Sequence, residues 1–359
     1  MSEELTAILS GPQAIALPTG RSIGVGHPAF LVAEIGQNHN GEETQAAELI
    51  DVAAWAGVDA VKFTKRDLEC EMTRQASRVP YSGRSAFGPT YGEHRAALEL
   101  SIDAHERLAA RAQKHGLVYF AAACDIPSAD LLGRLDVPLY KIASRDLTNS
   151  PLVEHLARTG RPLLISTGMS SLEEIDEAVE VVHRHHDCLV LLQCTSLYPT
   201  PPEQVHLRSL PALGRRYGCW VGFSDHADGT LFSAVAVALG AVLIEKHLTF
   251  DRKARGSDHA CSLEPSELRE LVRQVRQVEQ AMGRSDKPRC PGVDKVRMRL
   301  GRSLVSRVSV PRGATLVEEM LVLKSPGNGL AWRDRHRVLG RQARRDIAPD
   351  ETLRAADFC

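Results

Sequence analysis

Residues 220–226, Trp-Val-Gly-Phe-Ser-Asp-His, and residues 242–247, Val-Leu-Ile-Glu-Lys-His, decide the fold. Each is a short apolar run that stops on a polar tip, the pattern of a buried strand reaching the edge of its sheet. Between them, Thr230–Leu239 reads as a helix. Strand, helix and strand in that order make a parallel βαβ unit. It places His226, His247 and Lys246 at neighbouring strand ends, with the two histidines 21 positions apart. A further polar cluster, Gly256-Ser257-Asp258-His259, follows at once. In a parallel α/β barrel the C-terminal strand edge is where chemistry sits.

The same alternation extends upstream. Apolar runs recur at Ala29–Ile35, Ala60–Thr64, Leu117–Ala122, Leu139–Ala143, Pro162–Thr167 and Leu189–Thr195. Helical patterns such as Glu43–Trp55, Ile102–His115 and Leu172–His185 separate them. Eight strands predict a closed (β/α)8 TIM barrel over residues 29–283, the last helix running Glu264–Met282. A doubly wound open sheet is the alternative, but no Gly-rich nucleotide loop follows the first strand. Residues 1–28 form an N-terminal extension in which Arg21–Gly26 makes a hairpin under the barrel. Residues 284–300, with two prolines up to Val293, read as a linker. From Gly301 the texture changes to short β segments, Ser303–Val310 and Leu316–Val322, then Pro326-Gly327-Asn328-Gly329. Residues 301–359 are therefore expected to be a small β domain, too small to bury much alone.

Composition narrows the partners. Forty-four Lys and Arg against 45 Asp and Glu give a net charge of −1, which argues for no nucleic acid and no anionic membrane as a partner. No apolar run reaches the roughly 18 residues needed to span a bilayer. The first residues carry acids and no basic segment of a secretory signal, so a cytoplasmic protein is expected. The eight cysteines show no C-x-x-C pair and are expected to be reduced thiols.

Strand ends hold the residues that can do chemistry. The first ends Glu34-Ile-Gly-Gln-Asn-His-Asn-Gly, the second carries Lys62, Thr64, Lys65 and Arg66, and the fourth carries Lys141, Ser144, Arg145 and Asp146. The fifth supplies Ser166 and Gly168, and the sixth supplies Ser196 and Tyr198. Lysines 62, 141 and 246 converging on one mouth, with hydroxyls and a glycine before a helix, suit a phosphate or carboxylate. His226 and His247 have the reach of two metal ligands, whereas His39, His94 and His259 are weaker candidates. Two imidazoles are a sparse set, so substrate and water would complete the shell. That suits Lewis-acid activation of a carbonyl better than a structural zinc site. Manganese or magnesium suits such a site, although imidazole also suits zinc or cobalt.

The ordered motifs AEIGQNHNG, VKFTKRDLE, YGEHR, KIASRDLTN, ISTGMSS, LLQCTSLYPTP, GFSDH and EKHLTFD…GSDHACSLEP resemble those of the sialic acid synthases (N-acetylneuraminate synthase-like enzymes). SLVSRVSVPRGATL…SPGNGL resembles their antifreeze-protein-like (SAF) domain. The resemblance implies a TIM barrel with a β-clip cap, a domain-swapped homodimer, and condensation of phosphoenolpyruvate with an amino-sugar aldehyde. YGEHR and GSDHACSLEP look closer to the vertebrate-type members, which take a 6-phosphorylated sugar. Carried over by position, His226 and His247 would bind the metal. Lys62, Lys141, Ser144, Ser166, Ser196 and Ser224 would hold phosphoenolpyruvate, and Asp146, Tyr198 and Asp258 would face the sugar. Glu34 would sit beside the reacting carbons.

Four positions depart from the family pattern. Thr64 stands for a usual Gln, Ala122 for a Thr, Arg145 for the Gly after the KIAS serine, and Ser325 for the cap Arg before Pro-Gly-Asn-Gly. They point to an altered acceptor, with Arg145 replacing a phosphate contact or receiving an acidic substrate. Three other readings remain at this point: a related phosphoenolpyruvate-dependent synthase with a non-sialic acceptor, a Schiff-base aldolase using Lys62 or Lys141, and a non-catalytic binding barrel.

Overall fold

The structure, a computed structural model, describes residues 14–359; the first half of the expected extension lies outside them. Two compact units divide at Gly283/Arg284. In the first, eight parallel strands close into a barrel: β3 (Phe30–Gly36), β4 (Ala60–Lys65), β5 (Val118–Ala123), β6 (Tyr140–Ile142), β7 (Leu163–Ser166), β8 (Leu189–Cys194), β9 (Trp220–Asp225) and β10 (Leu243–His247). β10 pairs with both β9 and β3, so the open-sheet alternative is excluded.

Period-two alternation sorts each strand into an inner and an outer set. The inner set at the N-terminal end is apolar: Phe30, Val32, Val118, Phe120, Leu164 and Leu192 pack together with Leu243. Each such side chain contributes about 1.5–3 kcal/mol on burial. Gly222 belongs to this layer, because a Cβ there would stand 2.8 Å from the Leu243 carbonyl oxygen. The outer set packs under the helices in a separate core that includes Leu31, Val61, Ile142 and Ile244.

A hairpin of β1 (Ile15–Ala16) and β2 (Ser22–Ile23) precedes the barrel. Ile15, Leu17 and Ile23 join the lower barrel layer, so the hairpin closes that end. The expected hairpin over Arg21–Gly26 therefore begins about six residues earlier, with its turn between Leu17 and Arg21. Helix ends follow local chemistry. Ser171 and Glu174 form a capping box at the start of helix Leu172–His183, and Gly57 ends helix Glu43–Ala56 in the left-handed region.

The second unit has its own small core, including Leu304, Val310, Leu316, Val338, Ile347 and Phe358. Antiparallel strands β11 (Ser303–Ser306) and β12 (Leu321–Lys324), with isolated bridges such as Val310 to Ile347, form its short β segments. The stretch read as a linker holds a helix, Val293–Leu300, with no buried residue. Ser325 Oγ receives a hydrogen bond from Arg302 Nη1 at 2.7 Å.

Candidate active site

Where the inner layer reaches the C-terminal strand ends it turns from apolar to charged. Register places Glu34 beside both Lys62 and His247, Ser224 beside Glu245, and Ala122 beside Lys141. A cavity of about 400 Å³ opens there. Its wall holds Glu34, Lys62, Lys141, His226 and His247, the four serines 144, 166, 196 and 224, and Tyr198 and Asp258. Asp146 is the exception among the expected site residues. It is buried behind Arg145, whose Nε lies 3.3 Å from its carboxylate, and it takes no part in the wall.

Lys246 does not converge with the other lysines. It has the opposite parity on β10 and points outward, fully buried, between Asp225 at 3.3 Å and the Ala227 carbonyl. Asp225 also accepts from Ser233 Oγ at 2.6 Å and from the Ala227 N–H at 2.9 Å. This pair ties the tips of β9 and β10 together on the outside, one residue from each histidine.

Glu245, two positions back on the inward parity, takes the place expected for Lys246. Its carboxylate lies 3.2 Å from Lys141 Nζ and 3.7 Å from Lys62 Nζ, and accepts from Ser224 Oγ at 2.8 Å. Lys62 also pairs with Glu34. Two lysines and two carboxylates thus form a buried quartet at the cavity floor. Burial raises Glu34 to about 7, against the opposing pull of Lys62. Burial acts on Glu245 in the same sense, but Lys141 and Lys62 outweigh it and hold that group at about 2. The difference follows from position: Glu245 touches both cations and Glu34 only one.

Three hydroxyls gather opposite. Ser144 Oγ accepts the Gly168 N–H at 3.0 Å. A Cβ on Gly168 would come within 2.8 Å of Ser196 Oγ and 3.1 Å of Ser144 Oγ, so the glycine keeps this cradle open. Ser166 Oγ is buried with no partner in the fold. An unpaired buried hydroxyl is costly, and a ligand oxygen would satisfy it.

The histidine rings lie 5.4 Å apart between centroids, and Tyr198 stacks on His226 at 4.1 Å. A carbonyl can only accept, so the contact of His226 Nδ1 with the Thr195 oxygen at 2.9 Å puts the hydrogen on that nitrogen and frees Nε2 as a ligand. His247 Nδ1 is buried and unpartnered. Burial holds His247 at about 3, hence neutral, against the pull of Asp258. Against burial, Cys194 draws His226 upward, its Sγ 3.7 Å from the ring. Among the described residues no three His, Cys, Asp or Glu side chains are grouped to hold a metal ion. The pair fits a divalent ion that leaves most of its positions to substrate and water. His39 and His259 are engaged elsewhere, with the Gly41 N–H and with Thr249.

The outer wall comes from the long connection after β4, which contains helices Leu68–Glu71, Arg74–Ser77 and Tyr91–Ala97. It brings Arg66, Tyr81, Tyr91, His94 and Arg95 to the cavity. Arg145 does line the cavity, but it is already paired with Glu71 at 2.9 Å and with Asp146, and it donates to Cys124 Sγ. The sequence did hold a signal for Glu245, its shared parity with His247 on β10. Arg66 and Arg95 sit in the quoted motifs but carry no periodic signal.

A family model described as the NeuB family matches residues 49–287, and a model described as the SAF domain matches residues 301–358. The chain belongs to the NeuB family. It is 38% identical over 344 residues to the N-acetylneuraminate-9-phosphate synthase of Mus musculus, covering 95% of this chain and 96% of that protein. It is 35% identical over 329 residues to the N,N'-diacetyllegionaminic acid synthase of Campylobacter jejuni, covering 90% and 98%. Among solved structures, the N-acetylneuraminic acid synthetase of Leptospira borgpetersenii, in complex with citrate, matches with a TM-score of 0.70 and 31% identity over 80% of this chain and 95% of that one. The resemblance drawn from the motifs is correct at the level of family and fold, and the chain is an enzyme of that family rather than a non-catalytic barrel. No helix among the described residues is long and apolar enough to cross a membrane.

Proposed function

We propose that this NeuB-family enzyme joins phosphoenolpyruvate to the aldehyde carbon of an open-chain N-acylated amino-sugar. N-acetylmannosamine, its 6-phosphate or a close relative is the acceptor, and the products are phosphate and a sialic-acid-type 3-deoxy-2-ulosonic acid. The observation that carries this reading is the cavity floor, where two buried lysines and an open serine cradle face a pair of histidines. Lys62 and Lys141 supply charge to the phosphate and carboxylate of phosphoenolpyruvate. The Gly168 turn brings Ser144 and Ser196 together, and the unpartnered Ser166 hydroxyl points to the same use. His226 and His247 would hold manganese or a similar ion, which when bound polarises the acceptor's aldehyde oxygen.

The chain's own groups account for the rest. C3 of phosphoenolpyruvate bonds to the aldehyde carbon, and the aldehyde oxygen becomes a hydroxyl with a proton from solvent. Water then adds to the electron-poor C2, and Glu34, poised near neutrality by burial, takes its proton. The resulting hemiketal phosphate collapses with loss of phosphate, whose departing charge falls next to Lys62 and Lys141. Tyr198, stacked on His226, and Asp258 offer the sugar an aromatic face and an acceptor.

The same reading has two copies of the chain assembled as a domain-swapped homodimer in the cytoplasm. The pairing of two copies is supported by helix Val293–Leu300, whose Val293, Val296, Met298 and Leu300 side chains are all exposed. Light scattering on the full chain at micromolar concentration is expected to give twice the chain mass.

The test of activity is phosphate release from phosphoenolpyruvate with manganese, screened against aldoses and their 6-phosphates, with product masses recorded. The expected result is release only with an N-acylated amino-sugar, and a product carrying all the carbons of both substrates. Absence of release with every acceptor would refute the reading.

A further inference from the structure

Five cationic side chains line the cavity: Lys62, Arg66, Arg95, Lys141 and Arg145. Four of them have carboxylate partners within the fold. Lys62 is paired with Glu34 and Glu245, and Lys141 with Glu245. Arg66 lies 3.3 Å from both Glu71 and Glu99, and Arg145 is held by Glu71 and Asp146. The acidic neighbours around Arg145 make it part of a closed charge network, which removes the role of free anion receptor expected for it from the sequence.

Arg95 is different. Its Nε donates to Tyr91 Oη at 2.9 Å, and its Nη1 donates to Gln37 Oε1 at 2.8 Å. Both partners are neutral, and Nη2 has no partner among the described residues. Asp258 is close enough to be stabilised by the guanidinium, yet the two do not approach within ion-pair distance. The side chain is therefore held in place, with the Tyr91 ring 5.1 Å beneath it, while no carboxylate among the described residues reaches ion-pair distance of it at the cavity wall. A planar guanidinium with a free edge matches the oxygens of a phosphate or carboxylate.

The adjacent His94 adds a donor. The Phe87 N–H donates to His94 Nδ1 at 3.2 Å, so Nε2 carries the ring hydrogen. His94 is buried, stacked on Tyr81 at 4.4 Å, and lines the same cavity. Burial and then Arg95, Arg66 and Arg255 depress its basicity, so it offers a neutral N–H beside a cation. A phosphate monoester has oxygens enough to take the free guanidinium edge and the imidazole N–H together. A sugar hydroxyl would leave the arginine charge unanswered.

We propose that Arg95, assisted by His94, is the specificity-determining receptor for a phosphate at the end of the acceptor sugar away from its aldehyde. This rests on the condensation proposed above and narrows it to phosphorylated acceptors. The enzyme then works downstream of a reaction class that phosphorylates the sugar, and its product still carries that phosphate.

The test compares kcat/KM for N-acetylmannosamine 6-phosphate and for N-acetylmannosamine in the wild type, Arg95→Gln and Arg95→Lys. The wild type is expected to favour the phosphorylated sugar by at least about a hundredfold, the size of two charged hydrogen bonds. Arg95→Gln should shrink that ratio about a hundredfold, and Arg95→Lys, which keeps the charge but not the planar edge, by about tenfold. A ratio cancels any general loss from misfolding, and the lysine variant serves if the glutamine variant does not fold. Equal kcat/KM for the two sugars in the wild type, or variants that lower both alike, overturns this assignment and leaves the condensation standing. No phosphate release with either sugar overturns both.

Discussion

Glu245→Gln tests the floor of the site most directly, because the substitution keeps volume and removes one charge. The carboxylate is 3% exposed, and its two lysine contacts measure 3.2 and 3.7 Å. At an effective dielectric near 20 each such contact is worth about 4–5 kcal/mol of Coulomb energy. Several kcal/mol of that offset the cost of burying the carboxylate itself. In the variant, Lys62 keeps Glu34, but Lys141 loses its only ion-pair partner among the described residues. A buried pair broken from one side costs about 3–5 kcal/mol. The loss is bounded because burial already lowers the Lys141 pKa, so that lysine can shed its proton instead of staying charged and unpaired. For a domain of this size the expected fall in melting temperature is about 10 °C. Phosphate should reverse part of it, since an anion now replaces the missing carboxylate. The assay is thermal unfolding of wild type and variant with and without 50-fold increments of inorganic phosphate. A variant that melts with the wild type, or that gains no more from phosphate than the wild type does, would sink the assignment of the quartet as the anion floor.

Other outcomes follow from the same geometry. Lys246→Met should cost about 3–5 kcal/mol in urea unfolding, since it strands Asp225, and adding Asp225→Asn should recover part of the loss; a double variant no more stable than the single one would contradict the outer brace. Calorimetric titration of manganese should show one equivalent bound by the wild type. His226→Gln or His247→Gln should each weaken it more than about a hundredfold, since loss of a mere supporting partner already costs roughly 10–100-fold; unchanged affinity would remove the histidines as ligands. Burial lifts Glu34 from the ordinary carboxylate value of 4.5 to about 7. The native state therefore holds that proton more tightly, and this group's contribution to stability falls as pH rises from about 4.5 to 7 and stays low above it. kcat should rise with pH through the same region as the base ionises, and Glu34→Gln should flatten both dependences. Borohydride with either substrate should trap no lysine adduct, because Lys62 and Lys141 are held as ion-pair partners; a stable adduct would favour the Schiff-base mechanism.

Strand order, barrel closure and the histidine pair were legible because each rests on a local pattern. An apolar run ending on a polar tip states both the strand and its direction, and eight of them leave little choice of topology. The error at Lys246 shows where the pattern was not carried through. Leu243, Glu245 and His247 share one face of β10, whereas Ile244 and Lys246 share the other. Once His247 is placed inside, the period of two puts Glu245 inside and Lys246 outside. A charged strand tip alone says nothing about which face it occupies, so counting lysines at strand ends overstated the positive charge of the mouth. The pairing of the arginines was hidden for a different reason. Arg66, Arg95 and Arg145 lie in or beside irregular connections, where no period relates sequence to direction. Whether a guanidinium there is free or spent depends on carboxylates distant in the chain, such as Glu71 for Arg145. The chemistry of the barrel floor is thus encoded by alternation along the strands. Which arginine at its mouth is left without a carboxylate is something that only tertiary contacts decide.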